Sequence, residues 1–288
     1  MLLTIITINY NNASGLKKTI ESVLCQTSKD FEFIIIDGAS TDGSVEIIQT
    51  FKLSNFQTLN YLTEHDSGIY NAMNKGIRKA NGKYIQFLNS GDWLVNEFVV
   101  ENMLKELQVL NLNANEDKDE IDILIGRKIS VREDGKMRTE QNSPYVGLVT
   151  FYGSTLQHTS AYINRSLFDK YGLYDENLKI VSDWKWYLIV AGLNKAKVMF
   201  TEINVSYFDT NGISSTNLKL DNEERRKVLE ELVPAPILSD YDKYYLDLDR
   251  IDRLKKHKIL YSCFWFIERV LFKFEKWNIK FLGWKSIK

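Results

Sequence analysis

The chain has 288 residues, enough for one large α/β domain, an appendage and a sizeable core. Its 44% hydrophobic and 26% charged content is that of a globular protein, and only three prolines exclude a collagen-like or disordered chain. The net charge of −1 conceals an asymmetry: residues 253–288 hold ten Lys/Arg and two acids, whereas the remainder holds 27 Lys/Arg and 36 Asp/Glu.

Residues 2–9 form an apolar, Ile/Thr-rich run, expected as a strand buried on both faces. It lacks the basic flank of a signal peptide. Residues 16–26 carry Leu16, Ile20, Val23 and Leu24 at helical spacing, with Ser14 as N-cap. Strand 31–37 follows, then a helix through Val45, Ile48 and Phe51 capped by Asp42, then strand 59–63. The next helix starts at Asp66 or Ser67, buries Ile69, Met73, Ile77 and Ala80, and stops at a left-handed Asn81-Gly82. Strand 84–88 and helix 95–110 continue the alternation, which predicts a mainly parallel sheet.

Beyond a polar loop at 111–120, strands are expected at 121–125 and 128–132, the second ending in a Glu133-Asp134-Gly135 turn. Residues 147–154 read as loop, 161–163 as strand, 166–171 and 183–191 as helices, and 198–208 as one or two strands. Residues after 221 read as mostly helical. Two scattered cysteines, Cys25 and Cys263, make neither a disulfide framework nor a zinc pattern, which suits a reducing cytosol. No apolar stretch reaches the about 18 residues of a membrane span.

Parallel sheets bind ligands beyond the carboxyl ends of their strands. Four such ends are polar here: Asn9-Tyr10-Asn11-Asn12, Asp37 to Ser44, Glu64 to Gly68, and Asn89-Ser90-Gly91-Asp92. Turn and capping chemistry explains any one of them. Four in succession on one rim point to a ligand site.

The order and spacing of three segments resemble the GT-A-fold family 2 glycosyltransferases, in their capsule, colanic-acid and O-antigen branch. They are Asp37-Gly38-Ala39-Ser40-Thr41-Asp42-Gly43-Ser44, then Glu64-His65-Asp66-Ser67-Gly68-Ile69-Tyr70-Asn71-Ala72-Met73-Asn74-Lys75-Gly76, then Phe87-Leu88-Asn89-Ser90-Gly91-Asp92. The resemblance covers roughly residues 1–215. It implies a Rossmann-like α/β GT-A domain over 1–220, and the helical pattern after it reads as a C-terminal extension over 221–288. It also implies inverting transfer of a sugar from a nucleotide-diphosphate donor with Mg²⁺ or Mn²⁺. UDP is the expected carrier, with GDP and dTDP open.

Carried over to this chain, the resemblance puts Thr7, Asn9 and Tyr10 at the nucleobase, Asp37 as acceptor from the base, and Asp66 at the nucleoside. Asn74 and Lys75 flank the donor; Lys75 steadies phosphate charge or is a plain surface lysine. Asn89-Ser90-Gly91-Asp92 stands in the place of the Asp-x-Asp element, with Ser90 and Gly91 beside the donor. Asn89 replaces a common Asp, so Asp92 is the metal ligand, and an ion completed by phosphate and water needs few protein carboxylates. An inverting transfer also requires a base opposite the leaving diphosphate. Asp183 matches that base, and it also suits a helix cap.

His158 resembles a donor-side His or Gln of the family and equally suits a structural role. Gly212 and Ser214 match a loop that closes over the diphosphate, where a plain turn is the alternative. Of Trp184 and Trp186, one is expected in the core and the other at the sugar. Asp175 and Glu176 are expected in a turn.

The basic, Trp/Phe-rich tail suits a helix lying in a headgroup layer at the inner face of a membrane. A homodimer interface or packing on the domain is the alternative, and no nucleic-acid motif accompanies the charge. The acceptors the resemblance implies are glycans, often on a polyprenyl diphosphate. Two other readings stay open: a catalytically inactive sugar-nucleotide-binding or scaffold relative, favoured by Asn89, and a nucleotidyltransferase, disfavoured because residues 10–15 have one Gly and no cation.

Overall fold

A computed structural model describes residues 1–53, 59–113, 120–140, 145–210 and 217–282. The chain divides into two compact units, Met1–Glu231 and Leu232–Lys288.

The first unit opens with β1 (Leu3–Asn9), α1 (Ala13–Leu24), β2 (Phe31–Asp37), α2 (Ser44–Leu53), β3 (Leu59–Thr63), α3 (Ile69–Lys79) and β4 (Tyr84–Phe87). Every residue of β1, β2 and β4 is buried, whereas β3 shows only Leu59 buried, as befits an edge strand. These four strands are parallel in the order β3-β2-β1-β4. Leu3 and Ile5 of β1, with Phe31, Phe33 and Ile35 of β2, face Leu16, Ile20 and Val23 of α1. Each such fully buried aliphatic contributes about 1.5–3 kcal/mol. On the other face α3 lies so close to β1 that a Cβ on Gly76 would come within 2.5 Å of the Ile6 side chain.

The helix expected at 95–110 runs over Val99–Asn113, and at three other helix ends the cap differs from the sequence expectation. The first helix begins at Ala13, and its cap is Asn12, whose side chain accepts from the Gly15 N–H at 3.1 Å; Ser14 is inside the helix. The third begins at Ile69 after Gly68, whose φ of 151° suits glycine, and not at Asp66 or Ser67. It ends at an extended Ala80, without a left-handed Asn81-Gly82. Buried Glu32 makes that stop, accepting from the N–H groups of Asn81 (2.5 Å) and Gly82 (3.2 Å) and from the Thr4 hydroxyl (2.7 Å). A carboxylate from another strand thus supplies what a local turn was expected to supply.

The chain continues through β5 (Trp93–Leu94), α4 (Val99–Asn113), β6 (Ile123–Val131), β7 (Met137–Thr139), α5 (Leu148–Gly153), β8 (Ala161–Asn164), α6 (Ser166–Tyr171), α7 (Ser182–Tyr187), β9 (Val198–Asp209) and α8 (Leu218–Leu232). The sheet extends β4-β8-β6-β9-β5, with β7 paired to β6. The β4–β8, β8–β6, β6–β7 and β9–β5 pairs are antiparallel, and β6–β9 is parallel. This is a mixed α/β sheet with a parallel core, followed by C-terminal helices.

The two strands expected at 121–132 are one, interrupted by a register shift at Ile125/Arg127; the bulge broke the alternation. The expected loop at 147–154 contains α5. The helix expected at 183–191 is α7, continued as a π turn over Leu188–Leu193. Part of the expected loop at 111–120 lies outside the described residues.

The second unit contains α9 (Ala235–Lys255) and α10 (Lys258–Leu282). Among the described residues no helix is long and apolar enough to cross a membrane.

Candidate active site

Because β3, β2, β1 and β4 run parallel and in register (Asn9 beside Asp37, Asp37 beside Thr63), their polar carboxyl ends share one edge. A cleft of about 990 Å³ opens there, lined by Asn9, Tyr10, Asp66, Asp92, Lys128 and Asp183 among others. It is large enough for a drug-sized ligand.

At the first two strand ends, Tyr10 is an exposed ring and Asn9 is buried, both on the cleft. The Asn9 Nδ2 group donates to Asp37 Oδ1 at 2.7 Å and to Ser40 Oγ at 3.2 Å, while its Oδ1 is buried without a partner. Asp37 is fully buried and does not line the cleft. Its carboxylate also accepts from the Ser40 hydroxyl (2.6 Å) and backbone N–H (3.0 Å), so it organises the turn that shapes the wall. Thr7 is likewise behind the wall, donating to the Leu88 carbonyl at 2.6 Å. Gly38 leaves room at the rim: a Cβ there would meet the Tyr10 ring at 3.1 Å and Asp66 Oδ2 at 3.2 Å.

Asp66 lines the cleft and is held from behind by Lys75. The Lys75 ammonium reaches Asp66 Oδ1 at 2.5 Å, Glu64 Oε1 at 2.8 Å and the His65 carbonyl at 2.9 Å, and these partners keep its pKa raised against the opposing effect of burial. Asn74 is buried away from the cleft. It donates to the Tyr174 carbonyl (2.9 Å) and Glu176 Oε1 (2.8 Å) and accepts from the Tyr174 N–H (3.0 Å), tying α3 to the 174–176 turn. Asp175 and Glu176 lie in that turn, Asp175 paired with Lys185 at 3.0 Å.

The fourth strand end carries Asn89, Ser90 and Asp92 into the cleft. Gly91 adopts φ +104°, and its N–H donates to Thr19 Oγ1 at 3.1 Å. The antiparallel pairing of Trp93 with Tyr207 brings Asp92 beside the end of β9, where the Asp209 N–H donates to Asp92 Oδ1 at 3.0 Å. Burial pushes the Asp92 carboxyl up to about 7; the Asp209 N–H and the Lys128 and Lys18 charges oppose the shift, and the Asp209 charge adds to it.

Asn89 also lines the cleft, and its Oδ1 is buried and unpartnered. Two carboxylates and an amide oxygen are hard donors, the chemistry that suits Mg²⁺ or Mn²⁺. Among the described residues no group of three or more His, Cys, Asp or Glu is placed to hold a metal ion by itself. The donor set therefore fits an ion completed by phosphate and water, and not a self-sufficient metal centre.

Asp183 also lines the cleft, in the first turn of α7, half-buried. The Tyr70 hydroxyl of α3 lies 2.8 Å from Asp183 Oδ1 and also within reach of the Ile180 carbonyl, so one proton serves two acceptors. Burial and the Asp183 charge raise the Tyr70 pKa well above the phenol range, keeping it a donor. Behind α7, Glu224 of α8 accepts from the N–H groups of Lys179 (2.7 Å), Ile180 (2.9 Å) and Val181 (3.3 Å), which fixes the approach to Asp183.

His158 lines the cleft, stacked on Phe87 with ring centroids 5.0 Å apart. Its Nε2 has no partner, and burial lowers its pKa, which leaves the imidazole neutral. Trp184 is buried with a face on the cleft, covered by the Arg225 guanidinium at 4.7 Å; Trp186 is packed against Phe168 in the core. Gly212 and Ser214 lie outside the described residues.

Sequence reading passed over Asp209, Lys128, Tyr70 and Glu224. Tyr70 stood inside a motif already quoted, and Asp209 immediately before the loop residues. For Lys128 and Glu224 no local signal exists, because strand pairing and helix docking alone bring them to the site.

The model of the family described as "Glycosyl transferase family 2" matches residues 4–142. A "PGL/p-HBAD biosynthesis glycosyltransferase" of Mycobacterium bovis is 24% identical over 216 residues, covering 75% of this chain and 80% of that protein. Across the curated relatives first matched, the chain spans from 15% to 80% of their own length. The structure of TarS 1–349 from S. aureus in complex with UDP-GlcNAc superposes with a TM-score of 0.63 at 19% identity, covering 80% of this chain and 64% of that one. A mannosyltransferase from Pyrobaculum calidifontis in complex with GDP-Man and Mn²⁺ gives a TM-score of 0.56 at 15% identity, covering 78% and 60%. With the motif-bearing strand ends gathered on one cleft, these likenesses place the chain: residues 4–142 match glycosyl transferase family 2, and the fold is GT-A.

Proposed function

We propose that the protein transfers a single sugar, with inversion, from a nucleoside-diphosphate donor, by preference a UDP-sugar, to an acceptor hydroxyl. The observation that carries this reading is that Asp92 and Asp183, from segments far apart in sequence, line the same cleft. In a direct displacement the acceptor oxygen forms the new bond to the anomeric carbon as the bond to the diphosphate breaks. The acceptor proton passes to the Asp183 carboxylate, and the nucleoside diphosphate leaves on the Asp92 side. Asn9, Tyr10 and Asp66 hold the nucleoside end, and neutral His158 faces the sugar.

Asp92, with Asp209 and the Asn89 amide oxygen, would hold a divalent cation. Such an ion, when bound, neutralises charge on the departing diphosphate. The UDP-GlcNAc and GDP-Man/Mn²⁺ complexes of the structural relatives support the donor class and the metal.

For the acceptor we propose a glycan on a polyprenyl diphosphate, met at the cytoplasmic face of a membrane in the synthesis of a surface polysaccharide. Helix α10 supports this. Ile259, Phe266, Leu271 and Phe274 are more than half exposed, and Arg269 and Lys273, one helical turn apart, are exposed with them. A helix with that pairing of aromatic and basic residues suits an anionic lipid surface.

The test combines donor binding and turnover with and without Mn²⁺. Asp92→Ala is expected to weaken metal-dependent binding of UDP-sugar. Asp183→Asn is expected to bind donor as the wild type does and to lose transfer by at least about a thousandfold. Full turnover in the Asp183→Asn protein would refute the assignment of the base, and unchanged donor binding in Asp92→Ala that of the metal ligand.

A further inference from the structure

The motif-bearing cation, Lys75, already has its ammonium on two carboxylates and a carbonyl. Lys128 is placed differently. It follows the bulge in β6, and the register with β9 sets it one strand away from the end that holds Asp92. Its side chain is half-buried and lines the cleft.

Among the described residues no hydrogen bond or ion pair reaches the Lys128 ammonium. The face of Phe208 lies beside it, with the nitrogen 4.5 Å from the ring centroid. Asp92, Asp183 and Glu140 act on it through their fields, and burial lowers its pKa. A lysine ammonium carries three donors and no acceptor, and leaving them unmade in a recessed cleft is costly. The arrangement makes physical sense if an anion enters and accepts them.

Resting on the sugar-transfer reading above, we infer that Lys128 is the protein's own cation for the donor's diphosphate, in the cleft that Asp92 and Asp183 also line. Lys75 serves the same ligand indirectly, by holding Asp66. With Asn89 in place of a carboxylate, the strand end carries less negative charge, and an ammonium adds positive charge directly at the leaving group. Charge-assisted bonds to phosphate oxygens are the stronger kind, and a point cation suits a group whose oxygens move as it departs.

The experiment measures binding of uridine, UDP and inorganic pyrophosphate by titration calorimetry to the full chain, in EDTA and again with Mn²⁺. It compares wild type, Lys128→Met and Lys128→Arg. Met keeps the length and the packing on Phe208; Arg keeps the charge. Lys128→Met is expected to weaken UDP and pyrophosphate by about tenfold or more in EDTA while uridine is unchanged, and Lys128→Arg to restore most of the loss. UDP affinity within twofold of wild type, or an equal fall for uridine, would overturn the inference. Wild-type binding of pyrophosphate but not of UDP, abolished in Lys128→Met, would sink the nucleotide reading and leave Lys128 as an anion site. Binding of neither would remove both.

Discussion

The Asp209 backbone N–H donates to Asp92 Oδ1 at 3.0 Å, across a pair of strands that are 117 residues apart in sequence. This one bond fixes a buried carboxylate next to a second acid, in a cleft where burial favours its protonated form. The site thus stores electrostatic cost that a cation is suited to relieve, and a stability consequence follows.

The Asp92 carboxyl sits at about 7 in the fold and at about 3.9 in an unfolded chain. Between those values the folded state keeps a proton that the unfolded state has lost. Stability therefore falls as pH rises from about 4 to about 7 and stays lower above. Asp92→Asn removes this penalty. In EDTA at pH 8 it is expected to raise the urea unfolding free energy by roughly 2–4 kcal/mol, with the gain vanishing near pH 4. Adding Mn²⁺ should narrow the gap by stabilising only the wild type. An equal gain at both pH values would show that desolvation of this carboxylate is not the cause.

Tyr70 shares its single proton between Asp183 and the Ile180 carbonyl. Removing the hydroxyl leaves donor contacts untouched but frees Asp183 to adopt other rotamers. Tyr70→Phe is expected to lower kcat about tenfold with the donor KM unchanged. Steady-state kinetics at saturating acceptor reads this directly, and an unaltered kcat would remove Tyr70 from the reaction.

Glu224 is buried and accepts from three consecutive backbone N–H groups ahead of α7. Glu224→Ala strands those donors and is expected to cost roughly 2–4 kcal/mol in urea unfolding. Glu224→Gln, keeping one good acceptor, should cost about half of that. Transfer should fall in both, since Asp183 rides on the segment Glu224 secures. Wild-type stability in the Ala variant would contradict the account.

Helix α10 exposes Phe264, Trp265 and Phe266 together with the cation Arg269. Full-length protein is expected to co-sediment with vesicles containing anionic lipid, and Arg269→Glu with Lys273→Glu to weaken that binding at least about tenfold. Binding that ignores lipid charge, together with a concentration-dependent dimer lost on the same substitutions, would make α10 an interface between copies of this chain.

Much of this was legible in the linear chain. Ile-rich runs such as Leu3–Asn9 and Phe31–Asp37 suit strands buried on both faces, and their alternation with helices points to a parallel order with a polar rim. The strand-end motifs lie on that rim because the residues of one strand end stay together wherever the strand goes. What stayed hidden depends on contacts between distant segments. The third helix is stopped by Glu32 from another strand, so local turn chemistry named the wrong device.

Asp37 and Asn74 looked like ligand-facing residues because they are polar and sit in motifs; the fold turns both toward backbone and side-chain partners behind the wall. Lys128 and Asp209 reach the cleft through the β6–β9 register and the β5–β9 pairing, and Glu224 reaches the backbone ahead of Asp183 through the docking of α8. A chain's own spacing records periodicity, and so elements and rims. Which side chains meet across a cleft is set by hydrogen-bond registers and packing between segments a hundred residues apart, and only the folded arrangement of those segments decides it.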